Sequence, residues 1–233
     1  QVDEGLKKAF AEDVALMSFI GIRTVIVHGG GPTINDAMKR MGKQPSFVHG
    51  HRVTDPETME IVEMVLGGVV NKQIVSLINA VGGRAVGLSG KDAGLIKARK
   101  KTLKSPTGKG KDEEIDIGLV GGVTGVNPEV LFTLEKDGFI PVICPVSSGP
   151  GGETLNINAD ETAGAISSAL KAEKLIFLTD VEGIKDKKGV VLHSIDEKQT
   201  KKLMSSGVIS GGMVPKVQAA VKALESGVGK VHI

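Results

Sequence analysis

Three consecutive glycines close an apolar run in this sequence: Thr24-Val25-Ile26-Val27-His28-Gly29-Gly30-Gly31-Pro32-Thr33. Glycines at such a turn have no Cβ, take positive φ readily and let backbone N–H groups approach a ligand. A helix opening just after them adds orphan N–H groups and a positive dipole end. The combination is a cradle for an anion, although a ligand-free strand-to-helix turn uses the same residues. The second constellation is Glu153-Thr154-Leu155-Asn156-Ile157-Asn158-Ala159-Asp160. In an extended chain, period two puts Asn156, Asn158 and Asp160 on one face, opposite Leu155 and Ile157. Asp160 also stands where a helix over 161–171 starts, so the competing reading is a plain N-cap preceded by turn asparagines. Two cations complete the inventory: Arg52 in Gly50-His51-Arg52-Val53-Thr54-Asp55, and Lys216 about one turn into a helix opened by Ser210-Gly211-Gly212. A lone helical lysine is commonly solvated surface. Taken together, anion cradles, a carboxylate–amide cluster, an arginine and a helix-N-terminal lysine suit phosphoryl transfer.

The elements that must position these groups follow from periodicity. Residues 24–27 are β-branched without polar alternation, as in a buried parallel strand, and 84–89, 139–146, 174–180 and 230–233 read as further core strands. Helical spacing appears over 3–19, 33–42, 128–137 and 213–227, the last with Met213, Val217, Val221 and Leu224 as its stripe. Thr54-Asp55-Pro56-Glu57 starts a helix that runs toward residue 80, with Gly67-Gly68 weakening its middle. Residues 47–54 suggest a short hairpin, 147–152 a turn, and Ser194–Glu197 another helix start. The Lys/Arg-rich stretch 97–111, followed by Asp112-Glu113-Glu114, reads as a solvated hairpin, with a basic groove as the alternative. Strands alternating with helices make an α/β protein with a mostly parallel sheet, and ligands bind such sheets at the carboxyl ends of strands, where Thr179-Asp180 falls.

Composition narrows the chemistry. The 233 residues are 40% hydrophobic and 24% charged, ordinary for a globular protein with one large or two small lobes. A net charge of +2, no Trp or Tyr and six Phe argue against nucleic acid, which wants a basic face and stacking platforms. The single Cys144 lies in an apolar run and reads as a core thiol in a reducing, cytoplasmic setting. No signal peptide or membrane-spanning stretch is expected. There is no G-x-x-x-x-G-K-[ST], no G-x-G-x-x-G, no zinc-spaced His/Cys set and no G-x-S-x-G, which removes P-loop NTPases, Rossmann dehydrogenases, common zinc enzymes and α/β-hydrolases. The five histidines are scattered, and each reads as structural or surface.

His28-Gly29-Gly30-Gly31-Pro32, Gly50–Asp55, Asn156–Asp160, Leu178-Thr179-Asp180-Val181-Glu182-Gly183 and Gly211-Gly212-Met213-Val214-Pro215-Lys216, in that order, resemble the acetylglutamate kinase signature of the amino-acid kinase superfamily. The resemblance spans nearly the whole chain. It implies a three-layer αβα sandwich of two lobes, an acetylglutamate-binding and dimerisation lobe over 1–171 and a nucleotide lobe over 172–233. By the same resemblance ATP, with Mg²⁺ bound to it, phosphorylates the γ-carboxylate of N-acetyl-L-glutamate. Gly30, Gly31, Arg52, Asn156 and Asn158 would bind that substrate. Lys216, Asp160 and Gly30 would carry catalysis, with Lys216 stabilising the transferring phosphoryl group and Asp160 orienting the catalytic lysines. Thr179, Asp180, Val181, Glu182, Gly183, Ile184, Val208, Ile209, Ser210, Gly212 and Lys216 would border the nucleotide, with no protein-built metal site. A homodimer or hexamer is implied, with arginine or a PII-type regulator as effector. The family pattern also implies a strand ending in Lys-x-Gly-Gly ahead of Gln1 and further chain past Ile233. Acetylaminoadipate kinases and non-catalytic nucleotide-binding regulators are the neighbouring alternatives, one methylene being worth only about 1–3 kcal/mol of discrimination.

Overall fold

The chain, seen in a computed structural model that describes residues 4–106, 112–179 and 181–233, opens with helix α1, Glu4–Phe19. Strand β1 is only Ile26–Val27, and α2 follows over Gly31–Arg40. A hairpin of β2, Phe47–Val48, and β3, His51–Arg52, leads to α3, Pro56–Glu63. The helix starts where the sequence signals it, but the capping-box spacing Thr54–Glu57 is not used: Asp55 is the N-cap, accepting from the Thr58 N–H at 2.8 Å, with Pro56 in the first turn, while the Thr54 hydroxyl turns to the Arg52 carbonyl. The same helical rod then continues as a π-helical segment, Met64–Val70, and as α4, Asn71–Ala80. Gly67-Gly68 does not break the helix; it sits inside the wider turn. Next come β4, Ala85–Ser89, β5, Ile96–Pro106, and β6, Asp112–Val126. Then follow α5, Glu129–Lys136, β7, Ile140–Cys144, β8, Val146–Ser148, β9, Thr154–Ile157, and α6, Ala159–Ala169. Last are β10, Lys174–Ile176, α7, Glu197–Ser205, α8, Met213–Glu225, and β11, Lys230–His232.

Two compact units divide the chain at Gln1–Ala159 and Asp160–Ile233, so α6 groups with the second unit rather than ending the first at residue 171. In the first unit β1, β7 and β4 form a parallel sheet with β7 in the middle. All five residues of β7 are buried, as a strand covered on both faces requires. Helices α1 and α4 pack Ala11, Val14 and Ile78 against Ala85, Ile140 and Val142. A second cluster gathers Ile34 and Met38 of α2, Met59, Ile61 and Val62 of α3, Val65 and Leu66 of the π segment, and Cys144. In the second unit β10 and β11 pair in parallel, and Leu175, Phe177, Ala219, Ala220 and Ala223 make the core. Gly164 lets α6 approach α8 closely, since a Cβ there would lie 3.3 Å from the Ala219 carbonyl oxygen.

On α8 the expected stripe holds at Val217, but Leu224 is exposed and Ala219, Ala220 and Ala223 are buried instead. Three larger departures concern the fold. Residues 96–157 contain a closed four-stranded barrel, β5-β6-β9-β8, where only a solvated hairpin, a turn and one extended stretch were expected. The basic run does lie on the hairpin strand β5, and Lys100 meets Asp116 across the ladder at 2.9 Å; residues 107–111 fall outside the described residues. Second, helix Pro56–Ala80 has 25 residues and a mean hydropathy of 1.6, long and apolar enough to cross a membrane by length and composition, although no such stretch was expected. Its acidic first turns and central glycines mask that length in the sequence. Met59, Ile61, Val62, Val65, Leu66 and Ile78 of this helix are spent on the two core clusters of the first unit. Third, strand pairing at the fourth core strand stops at Ile176, which leaves Thr179 beyond the ladder.

Candidate active site

In the first unit the glycine turn joins β1 to α2. Gly30 is the N-cap of α2 and Pro32 stands in the first turn. None of Gly29, Gly30 or Gly31 lies in the left-handed region, Gly30 having φ 176°, so a left-handed turn is not why this stretch needs glycine. Close approach explains one of the three: a Cβ on Gly30 would sit 2.7 Å from Leu66 Cδ2 and 3.2 Å from Val70 Cγ2, whereas a Cβ on Gly31 meets nothing within 4 Å. Gly31 therefore borders open space at a helix N-terminus, where anions are favoured. Immediately before the turn, His28 is buried. Its Nδ1 faces the Gly29 carbonyl at 2.9 Å and its Nε2 faces the Asn71 Nδ2 at 3.1 Å. The amide donates, so Nε2 accepts and the imidazole is neutral with its proton on Nδ1. Burial pushes its pKa down and Lys72 adds to the effect.

Arg52 is buried and turned toward α2. Its guanidinium donates to Asn35 Oδ1 at 2.6 Å and the Gly31 carbonyl at 3.4 Å, contacts Met38 Sδ at 3.2 Å and lies over the Phe47 ring at 4.7 Å. Burial works against its charge, and these contacts offset that. Two residues on, Thr54 is fully buried; its hydroxyl donates to the Arg52 carbonyl at 2.9 Å and accepts from Asn156 Nδ2 at 3.4 Å. Gly31, Arg52, Thr54 and Asn156 thus form one polar line across α2, β3 and β9. The barrel fixes its far end: Asn156 pairs with Val146 and Val120 in the ladders.

The alternation Asn156, Asn158, Asp160 does not persist, because β9 ends at Ile157 and α6 begins at Ala159. Asp160 is in the first turn of α6, inside the helix rather than capping it. There its charge suits the helix dipole, and its Oδ1 accepts from the Lys216 ammonium at 2.7 Å. Lys216 comes from the first turns of α8, which Gly212 caps, and its Nζ also lies 4.9 Å above the Phe177 ring. With side chains only 13% and 22% exposed, Lys216 and Asp160 are a sheltered ion pair, not solvated surface. A lysine ammonium has three donors; one is spent on Asp160.

Of the other residues expected at the nucleotide, Val181 and Glu182 are exposed and Gly183 is buried. Gly183 takes φ 137°, and a Cβ there would press on Val191 at 3.3 Å. Ile184 accepts from the Leu192 N–H at 2.8 Å. Ile209 is buried, Val208 half-buried, and Ser210 and Gly212 are exposed just ahead of α8. Thr179 is half-buried; Asp180 lies outside the described residues. Sequence reasoning read Thr54 only as part of a helix start, and did not single out Asn71 or Phe177. Period two from Arg52 could have found Thr54, and an asparagine amid the apolar positions of a long helix could have flagged Asn71. An apolar residue in a core strand gives no signal, so Phe177 was invisible.

The amino acid kinase family pattern matches residues 2–233. The chain belongs to that family. The acetylglutamate kinase of Syntrophus aciditrophicus (strain SB) is 54% identical over 233 residues, covering all of this chain and 79% of the relative. That of Geotalea uraniireducens (strain Rf4) is 56% identical over 231 residues, 99% of this chain and 79% of the relative. Among solved structures, smu.665 from Streptococcus mutans UA159 superposes with a TM-score of 0.81 at 30% identity, covering 99% of this chain and 88% of that one. The mixed α/β architecture with parallel sheets is therefore an amino acid kinase fold.

Proposed function

We propose that this chain transfers the γ-phosphoryl group of ATP to the γ-carboxylate of N-acetyl-L-glutamate, giving N-acetyl-L-glutamyl 5-phosphate in arginine biosynthesis. The observation that carries this reading is identity of 54–56% to acetylglutamate kinases over nearly the whole chain, and the side-chain chemistry supports it. A side-chain carboxylate with an ordinary pKa of about 4.3 is already ionised at neutral pH, so the nucleophile needs no general base. The obstacle is one anion approaching another.

Within the first unit, the N–H groups of Gly30 and Gly31 supply positive dipoles, and Arg52, Asn156 and Asn158 hold the substrate's polar ends. Arg52 already donates to the Gly31 carbonyl and, separately, to Asn35, and a guanidinium can grip a carboxylate with two parallel hydrogen bonds. In the second unit Lys216 spends its remaining donors on the transferring phosphoryl oxygens, while Asp160 sets its direction. Thr179, Asp180, the stretch 181–184, and Val208, Ile209, Ser210 and Gly212 border the nucleotide. Magnesium, when bound, neutralises phosphate charge; it prefers phosphate oxygens and waters to an all-protein cage, and we assign it to the nucleotide. We further propose a cytoplasmic homodimer or hexamer that answers to arginine or a PII-type regulator.

The test is to supply the intact protein with ATP, Mg²⁺ and N-acetyl-L-glutamate and trap the acyl phosphate as its hydroxamate with hydroxylamine. Hydroxamate is expected with acetylglutamate in preference to acetylaminoadipate, and Lys216→Ala should lower kcat by at least roughly tenfold with little change in KM for acetylglutamate. No hydroxamate from the wild type, or an undiminished kcat in the variant, contradicts the reading or the lysine's role, respectively.

A further inference from the structure

The long helix Pro56–Ala80 bears on the glycine turn through three residues: Leu66 and Val70, against which Gly30 closes, and Asn71, which hydrogen-bonds His28. In an α-helix, at about 100° per residue, position 71 lies about 140° round from position 66, which would turn the two toward opposite flanks of a loop. Here the Asn71 backbone N–H donates to the Leu66 carbonyl, the i→i+5 bond of a π turn. That wider turn brings 66, 70 and 71 toward one side.

We infer that the π-helical turn at Met64–Val70 is a positioning device for the glycine loop, with Asn71 and His28 as its polar tie. Asn71 is 1% exposed and its amide orientation is fixed from both ends. Nδ2 donates to the Val142 carbonyl at 2.9 Å as well as to His28, and Oδ1 accepts from Lys72 Nζ at 3.1 Å. His28 passes the constraint to the Gly29 carbonyl. The sheet strand β7, through Val142, is thereby connected to the backbone that leads into Gly30 and Gly31. Neither Asn71 nor His28 touches substrate in this scheme; both act through Gly29–Gly31. Gly87 belongs to the same packing, since a Cβ there would stand 1.9 Å from Asn71 Oδ1.

The inference rests on the reading that Gly30 and Gly31 face the reacting anion, and Gly31→Ala tests that reading separately. The protein has room for this methyl group, so a fall in kcat reports on the ligand, and wild-type kcat would refute the cradle whatever Asn71 does. For the tie itself the variants are Asn71→Leu, His28→Phe and the pair combined. Each single change leaves a buried polar partner orphaned and should lower both the melting temperature and kcat. The double variant removes both partners, which is far less costly than removing one. It should regain most of the melting temperature while kcat stays at least roughly tenfold down, since a misplacement of about 1 Å can cost far more. A merely structural role predicts that kcat returns with stability, and that result would overturn the inference. Should the double variant not fold, Asn71→Ser is mild enough to serve: ¹⁵N order parameters at Gly29–Gly31 should fall, and unchanged values would equally overturn it.

Discussion

A lysine ammonium drawn out of water needs partners on more than one side. Lys216 has a carboxylate at 2.7 Å and an aromatic face at 4.9 Å, which hold the head of a long side chain that would otherwise spread over many rotamers. A cation over a ring is worth about 0.5–2 kcal/mol. Phe177→Leu should therefore destabilise by about that amount beyond its lost packing, and in a Lys216→Met background the extra part should vanish. Chemical denaturation of the four proteins measures it; an unchanged cost in that background would leave the ring as packing alone. Arg52 presents the opposite case, a fork whose contacts within α2 are visible before any substrate arrives. Arg52→Lys replaces the fork by a point charge. KM for acetylglutamate should rise with KM for ATP unchanged, as steady-state kinetics with each substrate varied will report; the reverse pattern would move Arg52 to the nucleotide side.

At the scale of elements, the start of α3 fixes where β3 delivers Arg52. Asp55 caps the helix and pairs with Lys43 at 2.7 Å. Lys43 first, and then the Thr58 N–H, lower its pKa from 3.8 to about 2. Because the folded value lies below the unfolded one, Asp55 stabilises the protein above the unfolded pKa, and this stabilisation fades as pH falls through the folded value. The melting-temperature gap between wild type and Asp55→Asn should be open near neutral pH and close as pH drops from about 4 toward 2; a gap independent of pH would rule the charge out. This helix start was legible because capping chemistry is local. The parallel strand β7 was legible because all five of its residues are buried and its run is uniformly apolar; β4 was legible from the shorter run Ala85–Leu88, of which only Ala85 is buried. The barrel was not: Gly118, Gly121, Gly122 and Gly125 on β6 break alternation, and Gly118 is glycine because a Cβ would meet the Thr54 carbonyl oxygen at 2.2 Å, a long-range reason. The π turn was read only as weakness at Gly67-Gly68, since its cause is the loop it faces. Of the candidate site, the sequence placed Asp160 and Lys216 in motifs of their own; only the family resemblance linked the carboxylate to the lysine, since nothing local says that two residues 56 apart form an ion pair.

For the molecule as a whole, each unit has its own core and each is assigned its own ligand. Hydrogen exchange on the intact protein tests that division. N-acetyl-L-glutamate should slow amide exchange around 29–34 and 154–157, and ADP around 208–214; a crossed pattern would reverse the assignment of the units. A different reporter is already built into the first unit. Cys144, the chain's one cysteine, ends the central strand at 1% exposure, and burial pushes its thiol up to about 11. Only a thiolate attacks a disulfide reagent, so in the native state this sulfur is shut away twice, by access and by protonation. Its labelling rate in native buffer is then a clock for how often the first unit opens. Read with and without N-acetyl-L-glutamate, and again with ADP, the same clock tells whether a ligand on one unit steadies the other, with no probe added to the protein.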